Sequence, residues 1–314
     1  MSAIRFAIAL PPTHATWEDY LATAQAADAL AFETFWGFDH LMPIFGDMEG
    51  PNFECYTTMA AIAAATKRIR IGALVSGVAY RNPAMQIKEA TQIDVISGGR
   101  FDFGIGAGWA EREFKAFDLP FREPKARIGM LRETLDVAKL LWSGDPRKKV
   151  SYEGTYVRVT DCFLNPQPVQ SPHPPILIGG GGEQLTLRVV ARHADIWHGF
   201  GDPDTLTRKI SLIDEYARGY GRDPQAIIKS TNASIWVGGA IPDTAVAEIA
   251  RLSGRPTDQI RQGMIQGTPE QIEARLRELI ALGITYFIVS GGSPALTENW
   301  RRISEELIPR FAQG

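Results

Sequence analysis

The run Ile176-Leu177-Ile178-Gly179-Gly180-Gly181-Gly182-Glu183-Gln184-Leu185-Thr186-Leu187-Arg188 decides how this chain is read. A short apolar strand, Pro175 to Ile178, feeds four consecutive glycines. These feed an amphipathic helix with Leu185, Val189 and Val190 on one side. Strand, turn and helix make one β/α unit. Four glycines in a row are entropically costly to order. They make physical sense where backbone must approach a ligand closely. Free N–H groups at a helix start, with the helix dipole behind them, bind anions. The run reads as a phosphate cradle at Gly179, Gly180, Gly181 and Gly182, with a ligand-free strand-to-helix turn as the alternative. Neither common glycine motif fits it. No frame gives G-x-G-x-x-G, and G-x-x-x-x-G-K-[ST] is absent. A second cluster, Gly104-Ile105-Gly106-Ala107-Gly108-Trp109, has Trp109 where a dinucleotide fingerprint wants glycine.

Outward from this unit, strand-like and helix-like segments alternate to both ends. Strands are expected at 4–10, 33–37, 68–75, 100–105, 176–178, 195–198, 227–237 and 284–290. Helices are expected at 16–30, 57–66, 83–96, 125–142 and 270–282, the third opened by Pro83 and closed by Gly98-Gly99. Eight β/α units without a composition break imply an α/β fold, a (β/α)8 TIM barrel spanning residues 1–314 as one domain. A doubly wound open sheet is the alternative, because strand order is not written in the sequence. Two connections exceed ordinary loop length. Gly108 to Pro174, between strands four and five, holds a helix and a hairpin around Tyr152-Glu153-Gly154-Thr155-Tyr156. Gly238 to Thr268, after strand seven, holds a short helix.

Bulk properties exclude several classes. The formal net charge of −3 leaves no electrostatic footprint for nucleic acid or a membrane surface. No apolar run is long enough to span a bilayer, and residues 1–10 lack the pattern of a signal peptide. Cys55 and Cys162 are isolated, which implies a reduced compartment and a cytoplasmic location. No spacing of His, Cys, Asp or Glu suggests a metal site.

In a barrel, chemistry sits at the C-terminal ends of the strands. Strand two runs into Trp36-Gly37-Phe38-Asp39-His40-Leu41, which places a carboxylate and a proton-exchanging imidazole at the mouth. An Asp–His pair that merely caps the loop is the alternative. Strand three runs into Gly72-Ala73-Leu74-Val75-Ser76-Gly77. Its small residues suit either a flat ring lying on backbone or a barrel layer of small side chains. At the end of strand four, Gly106 and Gly108 clear the mouth and Trp109 offers a flat surface. Strand six ends in Trp197-His198, beside the glycine cradle, while His193 falls on the surface of the preceding helix. Together these fit a planar, phosphorylated cofactor.

Several stretches together resemble the bacterial luciferase-like family of flavin and deazaflavin oxidoreductases, closest to its coenzyme F420-dependent members. They are Trp36 to Leu41, Tyr80-Arg81-Asn82-Pro83-Ala84, Ser97-Gly98-Gly99-Arg100-Phe101, Gly104 to Trp109, the glycine cradle, Gly267-Thr268-Pro269-Glu270 and Gly283 to Phe287. The resemblance implies a TIM barrel with F420 or, alternatively, FMN at its mouth. It puts the cofactor phosphate at Gly179 to Gly182 and the ring against Gly106, Ala107, Gly108 and a non-proline cis peptide at Ala73–Leu74. It gives Asp39 a contact to the deazaflavin and makes His40 the catalytic residue. That Asp–His pair favours F420. Trp109, Trp197 and His198 would line the substrate side.

The activity implied is hydride transfer between F420 and a small organic substrate, in a homodimer. The alternatives are an FMN-dependent monooxygenase using reduced flavin and oxygen, and a non-catalytic flavin or deazaflavin carrier. Two departures count against sugar-phosphate oxidation. Trp109 stands where those members carry Glu, and Pro11-Pro12-Thr13-His14 stands where they carry another Glu.

Overall fold

Period-two apolar strands find partners on both edges, so the sheet closes on itself. In the computed structural model, residues 3–290 and 296–312 are described. The barrel strands are β1 (Arg5–Leu10), β2 (Thr34–Gly37), β3 (Arg70–Ala73), β4 (Phe101–Gly106), β5 (Ile176–Gly179), β6 (Ile196–His198), β7 (Ile228–Ala233) and β8 (Ile284–Ser290). Each pairs in parallel with its sequence neighbours, for example Phe35 with Ile71 and Ile178 with Trp197. Pairing of Ile71 with Phe101 and of Phe6 with Phe287 completes the ring. The expected barrel is therefore the observed fold, and the open sheet is excluded. Helices α1 (Trp17–Ala29), α2 (Cys55–Ala65), α3 (Pro83–Ser97), α4 (Glu111–Ala116), α5 (Pro124–Leu141), α6 (Thr186–His193), α7 (Pro203–Gly219), α8 (Asp243–Ser253), α9 (Thr257–Gln262) and α10 (Pro269–Ala281) follow in order. None of the described helices is long and apolar enough to cross a membrane.

Strand alternation divides the core in two. Ala7, Ala9, Trp36, Leu177, Ile196, Tyr286 and Ile288 fill the barrel interior. The large outer layer, including Phe35, Ile71, Phe103, Ile178 and Phe287, packs under the helices. Two of the small residues serve this packing. A Cβ on Gly72 would collide with the ring of Trp36, and one on Gly104 with the carbonyl of Ala73. Trp36 then donates to the Tyr286 hydroxyl at 3.2 Å.

Four local expectations change. Strand three stops at Ala73 rather than Val75, and the pairing resumes only at Ser76–Gly77; the Leu74–Val75 peptide between them is cis. The expected cis position, Ala73–Leu74, is therefore displaced by one residue. The seventh strand does not run unbroken from 227 to 237. It leaves the barrel after Ala233, and Ile235–Val237 pairs instead with Ile265–Gly267 in a separate two-stranded sheet. The segment after it holds two helices, α8 and α9, not one. The hairpin between strands four and five forms as read, pairing Val150–Glu153 with Arg158–Cys162.

Candidate active site at the barrel mouth

A cavity of about 280 Å³ opens over β2 to β6. It gathers residues that lie far apart in the chain. Asp39 and His40 enter from β2. Leu74 and Val75 form the ledge at the cis peptide, and Gly106, Ala107, Gly108 and Trp109 follow β4. Gly179, Gly180 and His198 close it from β5 and β6, together with Thr186 and Phe200.

Two of the expected site residues lie elsewhere for reasons of alternation. Ala73 and Trp197 are buried in the outer layer, because their inward neighbours are Leu74 and Ile196. Trp197 instead braces the glycine turn from behind, donating from its indole N–H to the Gly180 carbonyl at 2.8 Å. His193 is not on a helix surface: it is 3% exposed, and burial, helped by Lys139 and Arg192, pushes its pKa down to about 3. Gly181 and Gly182 continue the turn beyond the cavity lining. Helix α6 starts at Thr186, so Leu185 is an exposed cap residue rather than part of the buried face.

His40 owes its orientation to Glu113, a residue the sequence reading did not select. Its Nδ1 lies 2.8 Å from Glu113 Oε2. The same carboxylate accepts from the Tyr80 hydroxyl at 2.6 Å and from the backbone N–H groups of Leu41 (2.6 Å) and Met42 (3.1 Å). Burial alone would raise the Glu113 carboxyl, but the bonds from His40, Tyr80 and Met42 outweigh it and hold it below its ordinary value. An ionised Glu113 fixes the proton of neutral His40 on Nδ1, which leaves Nε2 as the nitrogen that exchanges protons. Burial and Glu113 together raise the Tyr80 hydroxyl, which stays a donor. The Trp109 ring stands edge-on to the imidazole, with centroids 5.7 Å apart.

Asp39 is held as firmly. Arg81 bonds both carboxylate oxygens, at 2.6 and 3.1 Å, and the Ser76 hydroxyl donates to Oδ2. Gln86 in turn donates to Ser76 Oγ at 2.6 Å. Arg81 also pairs with Glu54, the residue that caps α2. Oδ1 receives one bond here and has a free lone pair for another donor.

His198 carries the clearest sign of a missing partner. It is 1% exposed, and its Nε2 has no partner among the described residues. The Ser230 hydroxyl donates its one proton to the Trp197 carbonyl at 3.0 Å. Its oxygen can then only accept from His198 Nδ1, also 3.0 Å away. The proton is thus on Nδ1, and Nε2 presents a lone pair in the cavity wall. Burial pushes His198 down to about 3, so the ring is neutral at neutral pH. A buried acceptor without a donor is costly, and a ligand N–H or O–H would satisfy it.

The glycine turn brings backbone close to its neighbours. Gly180 adopts φ of +134°, which other residues resist. A Cβ on Gly181 would lie 2.6 Å from Lys209 Nζ, and one on Gly106 would lie 2.8 Å from Val75 Cγ2. Lys209, from α7, therefore holds a cation against the turn; the local sequence offers no sign of it.

Comparisons with known proteins agree with this geometry. The family model for luciferase-like monooxygenases matches residues 4–253. The chain is 28% identical over 251 residues to an F420-dependent hydroxymycolic acid dehydrogenase of Mycobacterium tuberculosis, covering 80% of this chain and 68% of that one. It is 30% identical over 145 residues to an FMNH2-dependent dimethylsulfone monooxygenase of Pseudomonas putida, covering 46% and 38%. A solved F420-dependent secondary alcohol dehydrogenase, in complex with an F420-acetone adduct, shares the fold with a TM-score of 0.84 at 21% identity, covering 98% of this chain and 99% of that one. The chain belongs to the luciferase-like monooxygenase family and is an enzyme of that oxidoreductase class.

Proposed function

We propose that this protein is an F420-dependent oxidoreductase that transfers a hydride between the deazaflavin and a small organic substrate. The observation that carries the reading is the pair Asp39–His40, each locked by its own charged partner, in one cavity with a glycine turn backed by Lys209. Gly179 to Gly182 and Lys209 would hold the phosphate. Leu74, Val75, Gly106, Ala107 and Gly108 would lie along the ring. The Asp39 Oδ1 and His198 Nε2 lone pairs would accept from its N–H or O–H groups. When bound, the deazaflavin supplies the hydride chemistry. His40 holds or takes the proton on Nε2 that accompanies it, with Glu113 stabilising the imidazolium.

A second cavity, of about 350 Å³, adjoins the first across the end of β2: Phe38 lines this one, and the next residues, Asp39 and His40, line the other. Its walls include Leu10, Tyr20, Phe45, Ile249 and Met264, and its polar lining includes His14 and Asn232 beside the charged Asp19, Glu248, Arg251 and Arg255. It suits a substrate with an apolar body and a hydroxyl or carbonyl at the reacting end. Trp109, two-thirds exposed beside His40, would cover the junction.

The similarity to an FMNH2-dependent enzyme keeps the monooxygenase reading as the alternative. Titration of the purified protein with F420 and with FMN, followed by fluorescence, separates the two. Tight F420 binding and weak FMN binding are expected. The reverse order would replace our reading by the alternative.

Two further outcomes are expected. Lys209→Ala and Gly181→Val should each weaken coenzyme binding about tenfold or more, since a charge-assisted contact or the backbone approach is lost. Unchanged binding by folded variants would remove the turn from the phosphate site. Ser230→Ala should release the His198 tautomer, visible as a changed ring ¹⁵N pattern in NMR spectra, and should weaken coenzyme or substrate affinity about fivefold. An unaltered ¹⁵N pattern would show that Ser230 does not set the tautomer.

A further inference from the structure

Two loops, residues 11–16 after β1 and 43–54 before α2, are zipped together beside His40. Their backbones do the joining. The His14 N–H donates to the Pro51 carbonyl at 2.9 Å and the Phe53 N–H to the Pro12 carbonyl at 3.2 Å, which sets Thr13 opposite Asn52 in an antiparallel bridge. The His14 ring adds a bond from Nε2 to the Phe45 carbonyl at 3.0 Å, and the Phe53 ring packs on Trp17 and Tyr20. None of these contacts uses the Asn52 side chain.

That side chain has its own pair of partners. Its Nδ2 donates to the His40 carbonyl at 2.6 Å, and its Oδ1 accepts from the Thr13 hydroxyl, also at 2.6 Å. A carbonyl only accepts, so the amide has one orientation, nitrogen toward His40 and oxygen toward Thr13. The carbonyl that Asn52 holds belongs to the peptide between His40 and Leu41. The N–H on the opposite edge of that peptide donates to Glu113 Oε1 at 2.6 Å, and Glu113 Oε2 holds the His40 ring. One rigid peptide unit is thus gripped from both edges, by Asn52 and by the acid that sets the imidazole. Rotating it would break both bonds, so the two grips support each other.

Thr13 brings in the second cavity. It is 4% exposed and lines that cavity. Its single hydroxyl proton is committed to Asn52, so the cavity wall stands two hydrogen bonds from the His40 peptide. Asn52 itself lines neither cavity.

We propose that Asn52 is a positioning residue for His40, and that Thr13 ties its hold to the wall of the second cavity. Asn52 acts through the His40–Leu41 peptide, which keeps the ring in register with Glu113. The use of this hold in turnover rests on the proton role read for His40 above. The hold itself is independent of which coenzyme binds.

The test uses the coenzyme-free protein with ¹⁵N in its five histidines. The His40 ring signals, assigned by their absence from His40→Ala, should report mainly the Nδ1–H tautomer in the wild type. Asn52→Leu keeps the volume and loses both side-chain bonds. In it and in Asn52→Ala the minor Nε2–H share should rise about fivefold, the scale of one lost hydrogen bond. Thr13→Val keeps the shape of the wall and should give part of the same change. Thr13→Ser restores the hydroxyl and should restore the wild-type pattern. His198, set by Ser230, is the internal control and should not move.

A wild-type His40 pattern in folded Asn52→Leu and Asn52→Ala would overturn the proposal. An equal change at His198 would overturn it too, since it would mean general loosening. A wild-type pattern in Thr13→Val would overturn the part given to Thr13, and the whole if the Asn52 variants do not fold. F420 titration of the same samples tests the coenzyme reading separately. Failure to bind F420 would sink that reading and leave the His40 signals to decide this one.

Discussion

His40→Ala is expected to lower turnover about 100-fold or more while leaving coenzyme affinity nearly intact. His40 stands at the cavity wall with Nδ1 committed to Glu113 and Nε2 left to exchange a proton. Alanine removes the proton carrier but none of the residues proposed to hold the phosphate or the ring. The measurement is steady-state turnover alongside coenzyme titration. Lost coenzyme binding with normal turnover per bound coenzyme would make His40 a ring contact instead of a proton carrier. Normal turnover with normal binding would show that His40 carries no proton in the reaction.

Glu113→Ala is expected to cost both turnover and stability. Four donors converge on this buried carboxylate: His40, Tyr80 and the N–H groups of Leu41 and Met42. Removing it strands several of them without water, a loss of about 3 kcal/mol. Chemical denaturation reads that loss. Turnover should fall as far as in His40→Ala, because the imidazole loses its fixed tautomer.

The pH dependence follows from the depressed carboxyl. Its folded pKa lies below its ordinary value of 4.5. Its contribution to stability is complete above the unfolded value and is lost as pH falls through the folded one. The variant should lack this part of the acid sensitivity, so the two stability curves draw together as pH falls below 4.5. Glu113→Gln gives a finer test. An amide can still accept from Leu41 and Met42, but its NH2 group faces His40 and Tyr80, so turnover should fall more than stability. A Glu113→Ala protein with native stability and native turnover would show that the carboxylate positions nothing.

The route from Glu113 to His40 shows why part of the site was hidden. Directly after Gly104 to Gly108 the sequence has Trp109, and nothing local marks out any one acid in the helix that follows. Helix α4 begins at Glu111, and Glu113 in its first turn is carried back to a residue 73 positions earlier. Lys209 is similar, an unremarkable lysine in an amphipathic helix until α7 packs its side chain over Gly181. Ser230 sits in a strand with nothing to mark it until β6 and β7 pair and set it against His198.

Local pattern was enough for the elements themselves. The strand periods, Pro83 and Gly98 around α3, and the glycine run before α6 each act within a few residues. The count of eight β/α units, the barrel they imply and the placement of Asp39, His40, Gly106 and Gly180 at strand ends follow from them. Facing and partnership did not follow. Whether Trp197 or His198 points inward depends on the phase of a three-residue strand, which only its neighbours β5 and β7 fix. His193 is buried because α6 packs against α5 and α7, which its own sequence does not specify. The elements are set by short-range sterics and hydrophobic period, so the sequence alone determined them. The acid that orients His40, the cation at the glycine turn and the unmatched lone pair of His198 come from long-range packing, so only the closed barrel decided them.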